Sequence, residues 1–356
     1  MTSPRARAAE FCHRFGLSVP ILQAPMAGAC PPALASAVAN AGGMGGLGAL
    51  LSTPAAIQDW VATFRAQSNG GFQVNLWVPD PPPLRDPVLE ARQRAFLADW
   101  GPEVQATAAD AAPPDFEAQC AALLAAAPPV VSSIMGLYPA SFVAALKARG
   151  IAWFACATTM AEALAAEAAG ADAIIAQGAE AGGHRGSFDA EAAERHAIGL
   201  FSLLPALADR LTIPIIATGG IADGRGIAAS LLLGASAVQI GTGFLRSPEA
   251  QISPVWAAAI GQTAPEETRL TRAFSGRAGR AIAGAYVVAT AAPDAPAPAP
   301  YPIQRGLTGP MRAEAAKTGD ISRMQAWAGQ SAALARSLPA GEIVRQIWDE
   351  AQRYLT

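Results

Sequence analysis

Ala171-Asp172-Ala173-Ile174-Ile175-Ala176-Gln177-Gly178 runs straight into Ala179-Glu180-Ala181-Gly182-Gly183-His184-Arg185-Gly186. A short apolar run of strand character empties into glycines, with a histidine among them. A buried parallel strand reads this way when its C-terminal end must let a ligand approach the backbone. The pattern recurs at Ile213-Pro214-Ile215-Ile216-Ala217-Thr218-Gly219-Gly220-Ile221 and at Ala237-Val238-Gln239-Ile240-Gly241-Thr242-Gly243. Glycine-rich strand ends late in the chain, with one titratable side chain beside them, point to a site at the mouth of an α/β barrel.

Outward from these stretches, strand-like runs fall at residues 20–26, 46–50, 72–78, 130–135, 151–155, 171–176, 213–217 and 237–240, most of them separated by helical segments. Eight β-α units predict a closed (β/α)8 TIM barrel. A doubly wound sheet would need fewer strands and would carry its ligand fingerprint after the first of them. Helices are expected at 31–40, at 53–67 with Thr53 as N-cap and Pro54 in the first turn, and at 224–233 with Asp223 as N-cap. A last helix, 341–354, would put Ile343, Val344, Ile347 and Trp348 on one face.

Two regions break the alternation. Residues 79–114 hold Pro79, Pro81, Pro82, Pro83, Pro87, Pro102, Pro113 and Pro114 and read as an excursion after the third strand. Residues 246–321 include the alanine-proline stretch 291–300 and are too long for an ordinary connection. The barrel is then expected from 1–78 and 115–245, completed by 322–356, with 246–321 covering the mouth and shaping a substrate pocket.

At 52% hydrophobic and 15% charged residues over 356 positions, a large core is easily supplied. No apolar run is long enough to span a bilayer, and no signal-like segment follows the basic start Met1-Thr2-Ser3-Pro4-Arg5-Ala6-Arg7, so a cytoplasmic location is expected. A net charge of −3 gives no reason to expect a nucleic-acid partner. Cys12, Cys30, Cys120 and Cys156 form no CxxC pair, so neither a zinc site nor a disulfide framework is indicated. Cys156 reads as a small buried thiol, although it follows a strand-like run that could end at the barrel mouth. His13, His184 and His196 have no metal-ligand spacing, and no metal is expected. His13 reads as structural and His196 as solvated in a charge-rich helical run.

Gly43-Met44-Gly45-Gly46-Leu47-Gly48 matches GxGxxG but follows a helix and leads into a strand, the reverse of a dinucleotide fingerprint; these glycines read as a turn between the two. Gly219-Gly220 and Gly241-Thr242-Gly243 are better placed, because backbone N–H groups at two neighbouring strand ends could cradle one phosphate. A side chain at Gly220 would occupy that approach. Asn75 and Gln177 are amides among apolar neighbours; each must be hydrogen-bonded, by a structural partner or by the polar edge of a ring system. His184, on a loop at a strand's C-terminal end, is the catalytic candidate. Arg185 could pair with a ligand anion, with Glu180 or with Asp189.

Together these residues resemble the nitronate monooxygenase family, formerly the 2-nitropropane dioxygenases, in its bacterial and fungal class I form. The resemblance runs through residues 20–28, the EAGGH core at 180–184, residues 217–220 and 239–242, Leu307-Thr308-Gly309-Pro310-Met311-Arg312 and Ala326-Trp327-Ala328-Gly329-Gln330. It implies FMN bound non-covalently at the barrel mouth, without a metal. By match of motif, Met26 would lie near the isoalloxazine ring. Asn75 and Gln177 would bond the ring or ribityl groups. Gly182, Gly183, Gly220, Gln239, Ile240, Gly241 and Thr242 would hold the ribityl phosphate end. His184 matches the family's catalytic histidine, and Tyr301 falls in a segment that lines the substrate pocket of relatives. The implied reaction is oxidation of small alkyl nitronates, such as propionate 3-nitronate, by dioxygen to a carbonyl compound and nitrite, a detoxification chemistry. A protonated His184 would stabilise the anionic substrate; a neutral one could take the α-proton of an unionised nitroalkane.

The rival of the same fold is an FMN-dependent NAD(P)H:quinone or enoyl-thioester reductase. A rival of another class is a barrel that binds a phosphorylated ligand without redox chemistry. Beyond nitronate and dioxygen no nucleic-acid or membrane partner is expected, and a homodimer is left open.

Overall fold

The structure is a computed structural model that describes residues 3–355; Met1, Thr2 and Thr356, at the edges of the expected barrel segments, lie outside it. In chain order the first elements are α1 (Pro4–Phe15), β1 (Ile21–Gln23), α2 (Pro32–Asn40), β2 (Gly45–Gly48), α3 (Pro54–Gln67), β3 (Phe72–Trp77), α4 (Pro87–Leu97) and α5 (Phe116–Ala126). Next come β4 (Val130–Ile134), α6 (Ala140–Ala148), β5 (Ala152–Ala157), α7 (Met160–Ala168), β6 (Ala173–Gln177), β7 (Gly183–His184), α8 (Leu200–Ala208), β8 (Ile215–Thr218), α9 (Gly224–Leu232) and β9 (Ala237–Ile240). The chain ends with α10 (Pro254–Gln262), β10 (Thr268–Thr271), β11 (Gly279–Ile282), α11 (Ala285–Ala289), α12 (Ile303–Leu307), α13 (Gly309–Thr318) and α14 (Ala340–Tyr354).

Eight parallel strands form one sheet in the order β1-β9-β8-β6-β5-β4-β3-β2. A parallel bridge between Leu22 and Met44 brings its two edges together and closes the expected barrel. Proline starts α2, α3 and α4, where its missing N–H costs no bond and its fixed φ suits the first turn. Thr53 caps α3 and Asp223 caps α9, as their side-chain types predict. The inner face is filled by Leu22, Met44, Phe154, Cys156, Ile175 and Ile216. α1 was not foreseen; its Phe11 packs tilted and its Phe15 edge-on against Phe154, in the core of the barrel interior. Among the described residues no helix is long and apolar enough to cross a membrane.

The two excursions fold as one body. Leu97, Val104 and Ala109 from the first share a core with Phe274, Tyr286, Ile303, Leu307 and Met311 from the second. Gln93 of α4, almost fully buried, donates to the carbonyls of Pro296 and Ala297 and so anchors the alanine-proline stretch. This body carries a three-stranded antiparallel sheet, β10-β11-β7, whose edge strand is the two-residue segment Gly183–His184. The histidine loop therefore belongs at once to the barrel and to its cover.

The GxGxxG glycines lie largely within β2 rather than in a turn. The reason is close packing. A Cβ on Gly45 would come within 2.6 Å of the Ala35 carbonyl oxygen and 2.9 Å of the Ala35 Cβ on α2. Gly45→Ala should therefore lower folding stability by roughly 1–3 kcal/mol through overpacking. Urea titration checks this; an unchanged midpoint would contradict the tight α2–β2 contact.

Candidate active site

The end of β6 must release its chain toward the cover without leaving polar groups stranded. Gln177 does this with both ends of its amide. Its Nε2 donates to the His184 carbonyl at 3.0 Å, and its Oε1 accepts from the Gly186 N–H at 2.8 Å. Arg185 is 1% exposed, and its guanidinium donates to the carbonyls of Gln177 (3.0 Å), Gly178 (2.8 Å) and His196 (3.2 Å). Neither acid considered for Arg185 is its partner: it serves mainly main-chain oxygens, while Glu180 caps α8 through the Leu200 N–H. Downstream, buried Glu162 accepts from the Ser187 hydroxyl and the Phe188 N–H on one oxygen, and from Thr158 and Thr159 on the other.

His184 stands between Trp77 and Trp327, with ring centroids 4.8 and 4.9 Å away. Its Nε2 lies 2.8 Å from Ser275 Oγ. The Ser275 hydroxyl donates to the Arg277 carbonyl at 3.1 Å. With the Arg277 carbonyl taken as the acceptor of its one proton, Ser275 would accept the Nε2 proton, leaving the lone pair on Nδ1. Burial pushes the His184 pKa down to about 3, and Arg277, Arg305 and Arg312 push the same way. The imidazole is therefore neutral, which favours the base reading over the imidazolium reading.

A cavity of about 250 Å³ opens at the C-terminal ends of the barrel strands, beneath the cover. Of the expected site residues, Met26, Asn75, Gln177, Gly182, Gly183, His184, Gly220, Gln239, Gly241 and Thr242 all line it. Ile240 does not; its side chain sits in the main core outside the strands, and its carbonyl takes the Ala24 N–H. Tyr301 does not either; it stacks behind Trp77 with centroids 4.8 Å apart, one ring removed from the wall. Gly220 lines the cavity, but a Cβ there would meet Glu180 at 3.1 Å. Its positive φ of 66°, rather than space for a ligand, is what calls for glycine.

The wall also holds residues that the sequence patterns did not single out. A chain of amides crosses the barrel interior: Gln73 donates to Gln239 Oε1 at 2.8 Å, and Gln23 bonds the Gly46 backbone. This turns the Gln239 oxygen inward and leaves its amino group for a ligand. Asn75 donates to Ser132 Oγ, keeping its carbonyl oxygen as an acceptor. Arg305 and Gln325 line the opposite part of the cavity, and Arg305 has no carboxylate partner within ion-pair distance among the described residues. Arg312, pushed down to about 10 by burial and by Arg305, donates to Gln325. The segment 326–330 closes the end of the cavity at Thr242, where the Gly329 N–H donates to Thr242 Oγ1 at 3.0 Å.

Four other sequence readings can be placed. Cys156 is both buried and on the cavity wall, with its thiol pushed up to about 12 by burial. All four cysteines are unpaired. His13 is exposed in the last turn of α1 rather than packed. His196 is exposed, in a turn and not a helix, because the loop there is pinned by Arg185 and Arg272.

The cavity fits a flavin mononucleotide. Its floor is built from strand ends whose glycines leave backbone exposed, a helical turn with unbonded N–H groups opens at Thr242, and amides with free donor and acceptor ends flank it. Among the described residues no group of three or more His, Cys, Asp or Glu could hold a metal ion.

The nitronate monooxygenase family model matches residues 10–350. A nitronate monooxygenase of Paraburkholderia phytofirmans is 41% identical over 347 residues, covering 95% of this chain and 93% of that protein. Among solved structures, the nitroalkane oxidase of Streptomyces ansochromogenes superposes with a TM-score of 0.88 at 38% identity, covering 95% of this chain and 97% of that one. FabK from Thermotoga maritima superposes less closely, with a TM-score of 0.72 at 28% identity over 97% of this chain and 96% of that one. The chain belongs to the nitronate monooxygenase family and is an oxidoreductase.

The His184 pKa carries a stability consequence. The unfolded chain binds a proton near the ordinary 6.5, the folded one only near 3. This contribution is therefore fully present above about pH 6.5 and is lost as pH falls toward 3. In flavin-free protein, His184→Gln should make the fall of unfolding free energy between those limits shallower by about one proton, or about 1.4 kcal/mol per pH unit. Urea titrations at several pH values measure the slope; equal slopes would mean that the histidine is not held neutral.

Proposed function

We propose that this enzyme binds FMN at the barrel mouth and uses it to oxidise small alkyl nitronates, propionate 3-nitronate among them, with dioxygen to a carbonyl compound and nitrite. The family is generally flavin-dependent. The observation that carries the reading is a neutral histidine on a cavity wall that also bears an arginine with no carboxylate partner. Such a site favours an anionic substrate without holding a second titrating charge beside it.

The residues divide the work as follows. Gly241, Thr242 and the Gly220 turn would hold the phosphate end, and Gln239 and Asn75 the polar ring or ribityl groups. FMN, when bound, would accept electrons from the nitronate and deliver them to dioxygen. Arg305 would bind the nitronate oxygens. When a neutral nitroalkane enters instead, Nδ1 of His184 would take the α-proton while Arg305 stabilises the charge that develops. Ser275 fixes which nitrogen is basic. Trp77 and Trp327 keep water from the imidazole, and Tyr301 would act through Trp77. The likeness to FabK makes a reductase the second reading; rapid bleaching of the flavin by NADH without air would favour it.

Two outcomes are expected. Gly241 has an ordinary φ of −106°, and a Cβ there would lie 3.4 Å from Met26 Sδ, on the cavity wall. Gly241→Leu should fold yet retain little or no FMN, as read from absorbance of the purified protein; full flavin content would sink this placement. His184→Asn should lower turnover of neutral nitroethane by roughly 10²–10⁴-fold and affect preformed ethylnitronate far less. Equal loss on both substrates, at equal flavin content, would rule out the base role.

A further inference from the structure

A carboxylate from the first excursion reaches the catalytic histidine through three links. Asp80 lies just beyond β3, the strand that supplies Trp77. It accepts from Arg277 on both oxygens, from Nε at 2.8 Å and from the second terminal nitrogen in a shorter contact. Arg277 is only 1% exposed, and its remaining terminal nitrogen donates to the Ser187 carbonyl at 2.8 Å, three residues past His184. The Arg277 main chain holds Ser275 from both sides: its N–H donates to Ser275 Oγ at 3.3 Å, and its carbonyl accepts from that hydroxyl at 3.1 Å. Ser275 Oγ is 2.8 Å from His184 Nε2.

We infer that Asp80 is a positioning residue for catalysis: by fixing Arg277 it fixes the hydroxyl of Ser275, and so the tautomer and orientation of His184. This rests on the base role given to His184 above and goes beyond it. The physical argument is one of constraint. A buried guanidinium with its bidentate carboxylate is the best-defined orientation an arginine can take. Arg277 is fixed on one side by Asp80 and on another by the histidine loop. The fork ties down the end of the Arg277 side chain, and the N–H and carbonyl of the same residue flank the Ser275 hydroxyl and bias where its proton goes. Without Asp80 the guanidinium keeps one carbonyl partner and gains freedom. The Ser275 hydroxyl can then turn its proton toward Nε2, which moves the imidazole proton to Nδ1 and blocks the basic nitrogen.

A purely structural ion pair would make a different prediction. Its loss would lower stability and flavin retention, and both substrates would suffer alike. The Asp80 pair differs in this from the exposed pair of Arg85 and Asp110 on the same excursion, which touches nothing near the cavity.

The test is Asp80→Asn, nearly isosteric, beside Asp110→Asn as a control. The chain has only three histidines, two of them exposed, so the buried ring is readily identified by ¹⁵N NMR of the flavin-loaded protein. In the wild type, His184 should show the Nε2–H tautomer. In Asp80→Asn it should become mixed or shift to Nδ1–H, with nitroethane turnover falling about tenfold or more. Ethylnitronate turnover, flavin content and KM should stay within about twofold. The control should match the wild type throughout. An unchanged tautomer in folded Asp80→Asn overturns the inference, as does a parallel loss of both substrates with loss of flavin. Should Asp80→Asn not fold, Asp80→Glu retains the charge but displaces the fork, and an unaltered tautomer there overturns it equally. The tautomer measurement needs no substrate, so it separates failure of this inference from failure of the proposed reaction.

Discussion

The amide of Gln177 is the contact on which the rest of the site depends. At the end of β6 the chain must leave one sheet, present a histidine to a cavity and join a second sheet within seven residues. The peptide groups buried along that passage need partners. Gln177 offers one donor and one acceptor at the right reach, to the His184 carbonyl and the Gly186 N–H. A glutamate would set an oxygen against the carbonyl, and an asparagine would fall a methylene short. Arg185 completes the arrangement by capping the carbonyls that β6 leaves open where β8 diverges. A titratable side chain is thus held by groups that do not titrate near neutral pH, so its own protonation can change without loosening the loop.

This junction makes the barrel and its cover one mechanical unit. β7 pairs with β11 through Gly279 and His184, and Arg280 on the same strand donates to the Ala179 carbonyl. The cover has its own core, and both excursions contribute to it, since Leu97 and Met311 come from positions far apart in the chain. Ordering two proline-rich segments carries a large entropic cost. Prolines reduce it by limiting the unfolded chain, and the shared apolar core offsets the remainder. An alanine-proline stretch that looks unstructured in composition is therefore fixed in place by Gln93 and Gln304, both buried.

The barrel was legible because its signal is local. Apolar runs that alternate with helical ones, Thr53 and Asp223 as caps and glycines at strand ends are each read within a few residues, and the observed strands fall within a few residues of their expected limits. His184 was legible for the same reason. Ser275, Arg305 and Asp80 were not, since each acquires its place only when the two excursions fold against the barrel. No periodicity marks them, and a lone serine or aspartate in a loop reads as solvated. Tyr301 is near the site in the chain, but its ring stacks on Trp77 and is not among the cavity-lining residues. The Ile240 side chain faces the outer core, because alternate residues of a barrel strand face opposite sides, and Gln239 and Gly241 take the inner one.

The arginines around His184 explain why this cavity suits an anion in a chain whose net charge is negative. Arg185, Arg280 and Arg312 direct their donors mainly to carbonyls, hydroxyls and amides, which satisfy hydrogen bonds but cancel no charge. Arg277 is matched by Asp80, and Arg305 by no acid among the described residues. The protein therefore keeps several positive charges in a poorly hydrated region, an arrangement that costs stability unless something negative enters. Desolvation lowers the pKa of Arg312, and burial first, with the neighbouring arginines second, pushes that of His184 down. A carboxylate placed in the wall would relieve the cost but would also repel a nitronate and raise the histidine's pKa. An anionic substrate relieves it only while bound. The residual field is thus reserved for the ligand, and the strength of its binding is set by acids that the cavity lacks.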